Sequence, residues 1–365
     1  MLVYCAMLII SVLFACAAMG SPPVRRFCIN KSGTIVELKP KNFIILLSFL
    51  PLFLVSAFRY YTGVDYAGYL RIFQNVLDGK DVYTEEGFRV LNQVVAFFTD
   101  NVQWIFALTA AFALGLIFWG IWRYSPNPAL SIFLFVTMGY YFSSFNILRQ
   151  YLAISMVFVS LRFIKEKKFW RFLLVILVGM LFHKTVIIML PFYFLCRLRL
   201  KQSYLLILTL CGLALTPFRN KLSAFVVGTF YPHYAETGVA QPLSTTEFIY
   251  YLIVFGTIVF LCMKYREKFF ADDYNLILFN CVFYAFLIYL CLSFIPEVNR
   301  LAVYLEFFVI LLIPRLFAAE ENVRVRRFYT IFTGAVFLCF FAVSIGVMGR
   351  YNVLPYQTVF GWSFS

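Results

Sequence analysis

Apolar residues fill this chain in runs too long for a soluble core, and polar residues collect in short breaks between them. The runs lie at 2–20, 42–58, 102–122, 129–145, 150–164, 203–218, 247–263, 274–295, 301–317 and 328–348. A run of roughly 20 residues rises about 30 Å as an α-helix, the thickness of a bilayer's hydrocarbon layer. In lipid a backbone has to satisfy its own hydrogen bonds, so helices are the form such runs take. The pattern predicts an all-α, polytopic transmembrane bundle of about ten full spans, forming a single integral membrane domain over residues 1–365.

Three stretches depart from this rhythm. Residues 59–101 are polar for too long to be a turn, and Phe73, Val76 and Leu77 predict an amphipathic helix lying at the interface. The segment 172–196 is apolar but has basic flanks at both ends (Arg171 before; Arg197, Arg199 and Lys201 after), with His183-Lys184 in its middle. Two arms of about 12 residues, each rising about 18 Å, return both flanks to one side and put His183 near the tip of a hairpin. A single tilted helix with a buried Lys184 is the alternative. The third stretch, 219–246, reads as an outer loop containing Pro232-His233-Tyr234 and Gly238.

Composition sharpens the class. At 63% hydrophobic and 13% charged residues, no water-soluble domain of this length fits. The net charge of +14 does not indicate nucleic acid, because the basic residues sit in short clusters between apolar runs. Such clusters mark cytoplasmic loops, and one alternating topology puts the whole positive excess on one side. Arg25, Arg26, Lys31, Lys39 and Lys41 follow the first run, which places the N-terminus outside. Leu13-Phe14-Ala15-Cys16 resembles a lipoprotein cleavage site, but the basic segment of a signal peptide is missing, so the run is read as a retained helix. Nine scattered cysteines without a C-x-x-C pair, and two histidines fifty residues apart, leave no metal centre or cofactor to expect.

The same topology turns one set of polar residues outward. Asn146, Arg149, Gln150 and Ala153 stand at i, i+3, i+4 and i+7, so a helix beginning there carries them on one stripe. An arginine at the centre of a spanning helix costs about 3 kcal/mol, whereas near an end it can snorkel as an anchor. Arg149, Arg300 and Arg350 fall at run ends on this face, and converging guanidinium groups could hold a phosphate or pyrophosphate. Each residue also has a plainer reading. Arg300 can pair with Glu297, Arg350 can reach headgroups, Asp65 can cap a turn after Gly63 or offset Arg59, and His183 can be a satisfied polar group. Glu306, inside a run, is expected to pair with a neighbouring Arg or Tyr.

Taken in order, Arg59…Gly63-x-Asp65-Tyr66…Tyr69, Asn146-x-x-Arg149-Gln150-x-x-Ala153, Phe182-His183-Lys184, Asn299-Arg300…Tyr304 and Leu354-Pro355-Tyr356 resemble the EpsG family of Wzy-type polysaccharide polymerases. The likeness runs from about residue 42 to 360. It implies a metal-independent membrane glycosyltransferase joining repeat units carried on undecaprenyl pyrophosphate, at the outer face of a bacterial plasma membrane. The product would be exopolysaccharide, capsule or O antigen, with a chain-length regulator and a flippase of the same pathway as partners. Such chemistry asks for cations at the departing pyrophosphate and a base for the attacking hydroxyl. The expected substrate-binding residues are Arg149, Arg300 and Arg350, with Asn146, Gln150, Arg59 and Tyr66. The candidate bases are Asp65, then His183, then Glu297. A ligase using the same lipid donor, and a flippase or transporter of it, are the competing readings. The transporter would want a cationic path across the membrane and internal repeats, and no convincing repeat is found.

Overall fold

Most of the apolar runs become helices, but fewer than expected are long enough to cross a membrane unaided. A computed structural model describes residues 1–20, 26–29, 35–38, 40–199, 201–230 and 242–364. Among these, six helices have the length and hydropathy of a span: Leu2–Gly20, Gln103–Tyr124, Thr245–Lys264, Asp273–Leu292, Val298–Ala318 and Val323–Val347. A bent pair, Pro128–Thr137 and Tyr140–Asn146, makes a seventh if its 52° kink is counted within one crossing. The count of about ten is therefore not confirmed. The remaining runs form shorter apolar helices: Asn42–Ala57, Leu148–Val159, Phe169–Met180, Lys184–Leu195 and Ser203–Leu213. Two small antiparallel ribbons, Arg26–Ile29 with Ile35–Leu38 and Tyr356–Gln357 with Ser363–Phe364, are the described sheet. The Pro232-His233-Tyr234 and Gly238 part of the outer loop lies outside the described residues.

The chain divides into two compact units, Met1–Tyr151 with Val323–Ser365, and Leu152–Asn322. In the first, Leu2–Gly20 packs on Pro40–Ala57 and on Pro128–Thr137, and Pro40–Ala57 packs on Gln103–Tyr124. The polar stretch 59–101 is two amphipathic helices, Tyr66–Leu77 and Glu86–Phe98, rather than one. Their apolar faces (Tyr66, Tyr69 and Phe73; Phe88 and Val95) are buried and the helices pack on each other. Phe73 thus points inward as expected, while Leu77 stays exposed.

In the second unit, Asp273–Leu292 is the central helix, packed against Val298–Glu306, Thr245–Lys264 and Gln202–Leu213. The 172–196 segment folds back on itself. Phe169–Met180 ends, residues 181–183 turn, and Lys184–Ile188 with Met189–Leu195 returns along it. Gly179 permits the close return, since a Cβ there would lie 3.3 Å from Val186 Cγ1. Three ion pairs join elements of this unit: Arg199 pairs with Asp273, Lys268 with Glu321, and Arg315 with Asp272.

Glu306 lies within the Val298–Ala318 span, 89% of which is buried. The Tyr289 hydroxyl donates to its Oε2 at 2.5 Å, while the Tyr289 ring stacks on Tyr251 at 3.7 Å. Tyrosine is thus the partner expected from sequence. Tyr289→Phe removes the donor and leaves the acceptor buried, at a cost of about 1–3 kcal/mol. Thermal unfolding of the detergent-solubilised variant should show a lowered midpoint, and an unchanged midpoint would contradict the pairing.

Candidate functional site

The first unit builds its polar centre around a break in the helical path. Tyr140–Asn146 ends at Ile147, whose ψ of 53° is not helical, and Leu148–Val159 starts afresh. Such a break frees backbone groups that lipid cannot satisfy. The Tyr69 hydroxyl takes both sides of it: it accepts from Leu148 N at 3.0 Å and donates to Asn146 O at 2.8 Å. Burial pushes the Tyr69 hydroxyl above its ordinary range, so it remains a protonated donor at neutral pH.

The break also splits the stripe read from sequence. Asn146 closes one helix, whereas Arg149 and Gln150 open the next, so they do not share one helical face. Asn146 instead fastens loops. Its Oδ1 accepts from Val64 N at 2.8 Å, and its Nδ2 donates to Tyr351 O at 3.2 Å. Gly63, at φ +105°, gives its own N–H to Asn352 O at 2.9 Å. A Cβ on Gly63 would stand 2.7 Å from Asn146 Oδ1, so the loop that carries Asp65 requires glycine here.

Arg149 stands in the first turn after the break with its side chain about one-third exposed. Its Nη1 donates to Thr84 Oγ1 at 2.9 Å and to the Glu85 carboxylate, whose side chain is 11% exposed. Glu85 was given no role from sequence. It lies 64 residues from Arg149, beyond any helical spacing rule, and only an unexplained carboxylate ahead of an amphipathic helix marked it. The Arg149 guanidinium and the Asp65 carboxylate both bear electrostatically on Tyr69, which places them on the same hydroxyl's surroundings.

Arg59 solves the burial of charge differently. It is 1% exposed, with its guanidinium 4.3 Å from the Phe145 ring centre and 5.0 Å from that of Phe106. Its Nε and Nη1 are buried without a hydrogen-bond partner among the described residues. Burial pulls the group down to about 10, which still leaves it charged at neutral pH. Tyr66 is buried and stacks on Phe106 at 4.5 Å. The backbone around Arg59 is fixed by Gln103, whose Nε2 donates to Ala57 O and to Arg59 O, and by a bridge to Thr358.

The other predicted residues are more dispersed. Asp65 is half-buried at the start of Tyr66–Leu77, with no capping bond from its side chain. Gln150 is buried, and Arg350 is half-buried with its guanidinium 5.8 Å from the Tyr351 ring. In the second unit, His183 is half-buried at the hairpin's turn, as expected. Thr185, just after it, shares a 3.2 Å hydrogen bond with the Tyr304 hydroxyl. Arg300 pairs with Glu297, Nε to Oε2 at 2.7 Å, which is the plainer reading given above. Among the described residues no group of three His, Cys, Asp or Glu side chains gathers as metal ligands.

The geometry can orient a guanidinium at the foot of an apolar helix, with carboxylates near it and a rigid loop beside it. A family model, that of the EpsG family, matches residues 42–358, which contain every residue of this polar centre. No curated protein and no solved structure matches the chain.

Two substitutions test the centre. Tyr69→Phe leaves the Asn146 carbonyl and the Leu148 N–H without their shared partner, costing about 1–3 kcal/mol for each unsatisfied group. Gly63→Ala meets both the positive φ and the Asn146 clash, and should destabilise by about 1–3 kcal/mol. Unfolding midpoints in detergent measure both, and wild-type values in either would contradict the arrangement.

Proposed function

Because the chain belongs to the EpsG family, a membrane family of the polysaccharide-polymerase type, we propose that it polymerises undecaprenyl-pyrophosphate-linked oligosaccharide repeat units. The reaction is a glycosyl transfer at the outer face of a bacterial plasma membrane. The observation that carries the reading is the Arg149 cluster within the matched segment: a partly exposed guanidinium, held by Glu85 and Thr84, at a helix entrance. Such a group suits a leaving pyrophosphate, because its planar fork offers paired donors to phosphate oxygens.

In this reaction an acceptor sugar hydroxyl attacks the anomeric carbon of the donor chain. The bond from that carbon to the pyrophosphate oxygen breaks, and its electron pair leaves with the lipid pyrophosphate. Arg149 stabilises the charge that develops there. Arg59, a cation without a carboxylate partner among the described residues, adds positive potential to the same unit, and Arg350 is a further phosphate contact. Asn146 supports the site by fixing the Asp65 loop, and Gln150 and Tyr66 line it. Asp65 is the proton acceptor assigned on its chemistry. For the second unit the proposal retains Arg300 as a phosphate ligand and His183 and Glu297 as alternative acid–base groups, on their chemistry alone.

Purified protein in bilayers, given its own lipid-linked repeat units, should yield a ladder of chain lengths on a gel. A single transfer would indicate a ligase, and wild-type protein giving no ladder would refute polymerisation. Arg149→Lys keeps the charge but loses the fork, so product should fall about 100-fold or more. Full activity would remove Arg149 from the pyrophosphate. His183→Cys should be labelled by a membrane-impermeant thiol reagent from outside the cell, and labelling only from the cytoplasm would contradict the outward tip.

A further inference from the structure

Glu85 occupies a position where a carboxylate ordinarily serves a helix. It is the residue before Glu86–Phe98, with extended backbone angles (φ −64°, ψ 145°), where side-chain acceptors usually cap the free N–H groups. Its carboxylate makes no such cap. It turns to Arg149 instead, with the Thr84 hydroxyl 3.4 Å from the same Oε2. The carboxylate is thus stored on the cation that the proposed reaction needs for its leaving group.

A pyrophosphate arriving at Arg149 carries more negative charge than a carboxylate and presents more acceptor oxygens, so it competes for the same guanidinium. Glu85 then loses part of the attraction that keeps it ionised and gains an anionic neighbour. Both changes raise a carboxylate's affinity for a proton. A base becomes effective as its proton affinity approaches the working pH, which here happens when the donor substrate is bound.

We propose that Glu85 is the proton acceptor for the attacking sugar hydroxyl, held on Arg149 until the donor's pyrophosphate takes its place. The inference rests on the polymerase reading above and gives Glu85 the role otherwise assigned to Asp65. As the acceptor oxygen bonds to the anomeric carbon, its proton passes to the Glu85 carboxylate. The pyrophosphate departs with the electron pair of the broken bond. When undecaprenyl pyrophosphate leaves Arg149, Glu85 releases the proton to solvent and pairs with the guanidinium again.

The test uses the full chain in bilayers with its lipid-linked repeat units, and compares wild type with Glu85→Gln and Glu85→Asp. Glu85→Gln should lower kcat by about 10²–10⁴-fold, the usual contribution of a general base. It should also be inhibited by undecaprenyl pyrophosphate at the same or a lower concentration than wild type, because the competing carboxylate is gone. Glu85→Asp should recover part of kcat. Inhibitor binding also reports that the variant is folded. A Glu85→Gln variant that loses turnover and undecaprenyl pyrophosphate binding together would show that Glu85 only positions Arg149, and would overturn the proposal. Wild-type kcat in that variant would overturn it too, while a wild-type ladder would leave the polymerase reading standing. A wild type without a ladder would refute both.

Discussion

The hydroxyl of Tyr69 holds the first unit's functional geometry together. A helix that breaks in an apolar environment must find new partners for the groups it frees, and here one side chain supplies them on both sides of the break. Because the path changes direction at Ile147, Asn146 can reach the Gly63–Asp65 loop while Arg149 reaches Glu85. A continuous helix would carry both side chains on one face and could not serve both partners. The aromatic hydroxyl comes from Tyr66–Leu77, the helix that the same loop leads into, so loop and break are fixed by one element.

Charge inside this chain is handled in different ways, and the differences indicate role. Glu306 is covered on its Oε2 by a neutral tyrosine hydroxyl, an arrangement suited to stability deep in a span. Arg59 sits between aromatic rings, where cation–π attraction of about 0.5–2 kcal/mol repays only part of the cost of burial. Arg149 is paired yet partly open, the one of these groups that an arriving anion can reach without unfolding its surroundings. That accessibility suits it to the proposed role at the leaving group.

The sequence conveyed the chemistry of the membrane better than its architecture. Long apolar runs announced helices, paired basic flanks announced the hairpin with His183 at its turn, and Glu306 announced a polar partner. The breaks were legible only in part. A gap at 146–149 separated two runs, but it did not show that one helix ends at Asn146 and the next restarts after Ile147, and the bend at Gly139 falls inside an apolar run whose periodicity looks continuous. This is also why 129–145 reads as one span and folds as a bent pair. Glu85 was hidden for a related reason, since its partner is distant in sequence and becomes a neighbour only after the break has turned the chain.

The central claim is that Arg149 receives the lipid pyrophosphate. A structure of the full chain in lipid nanodiscs with undecaprenyl pyrophosphate bound tests it most directly. The account predicts phosphate oxygens within about 3 Å of the Arg149 guanidinium nitrogens, with the Glu85 carboxylate displaced from it. A pyrophosphate bound elsewhere, with Arg149 still on Glu85, would contradict it.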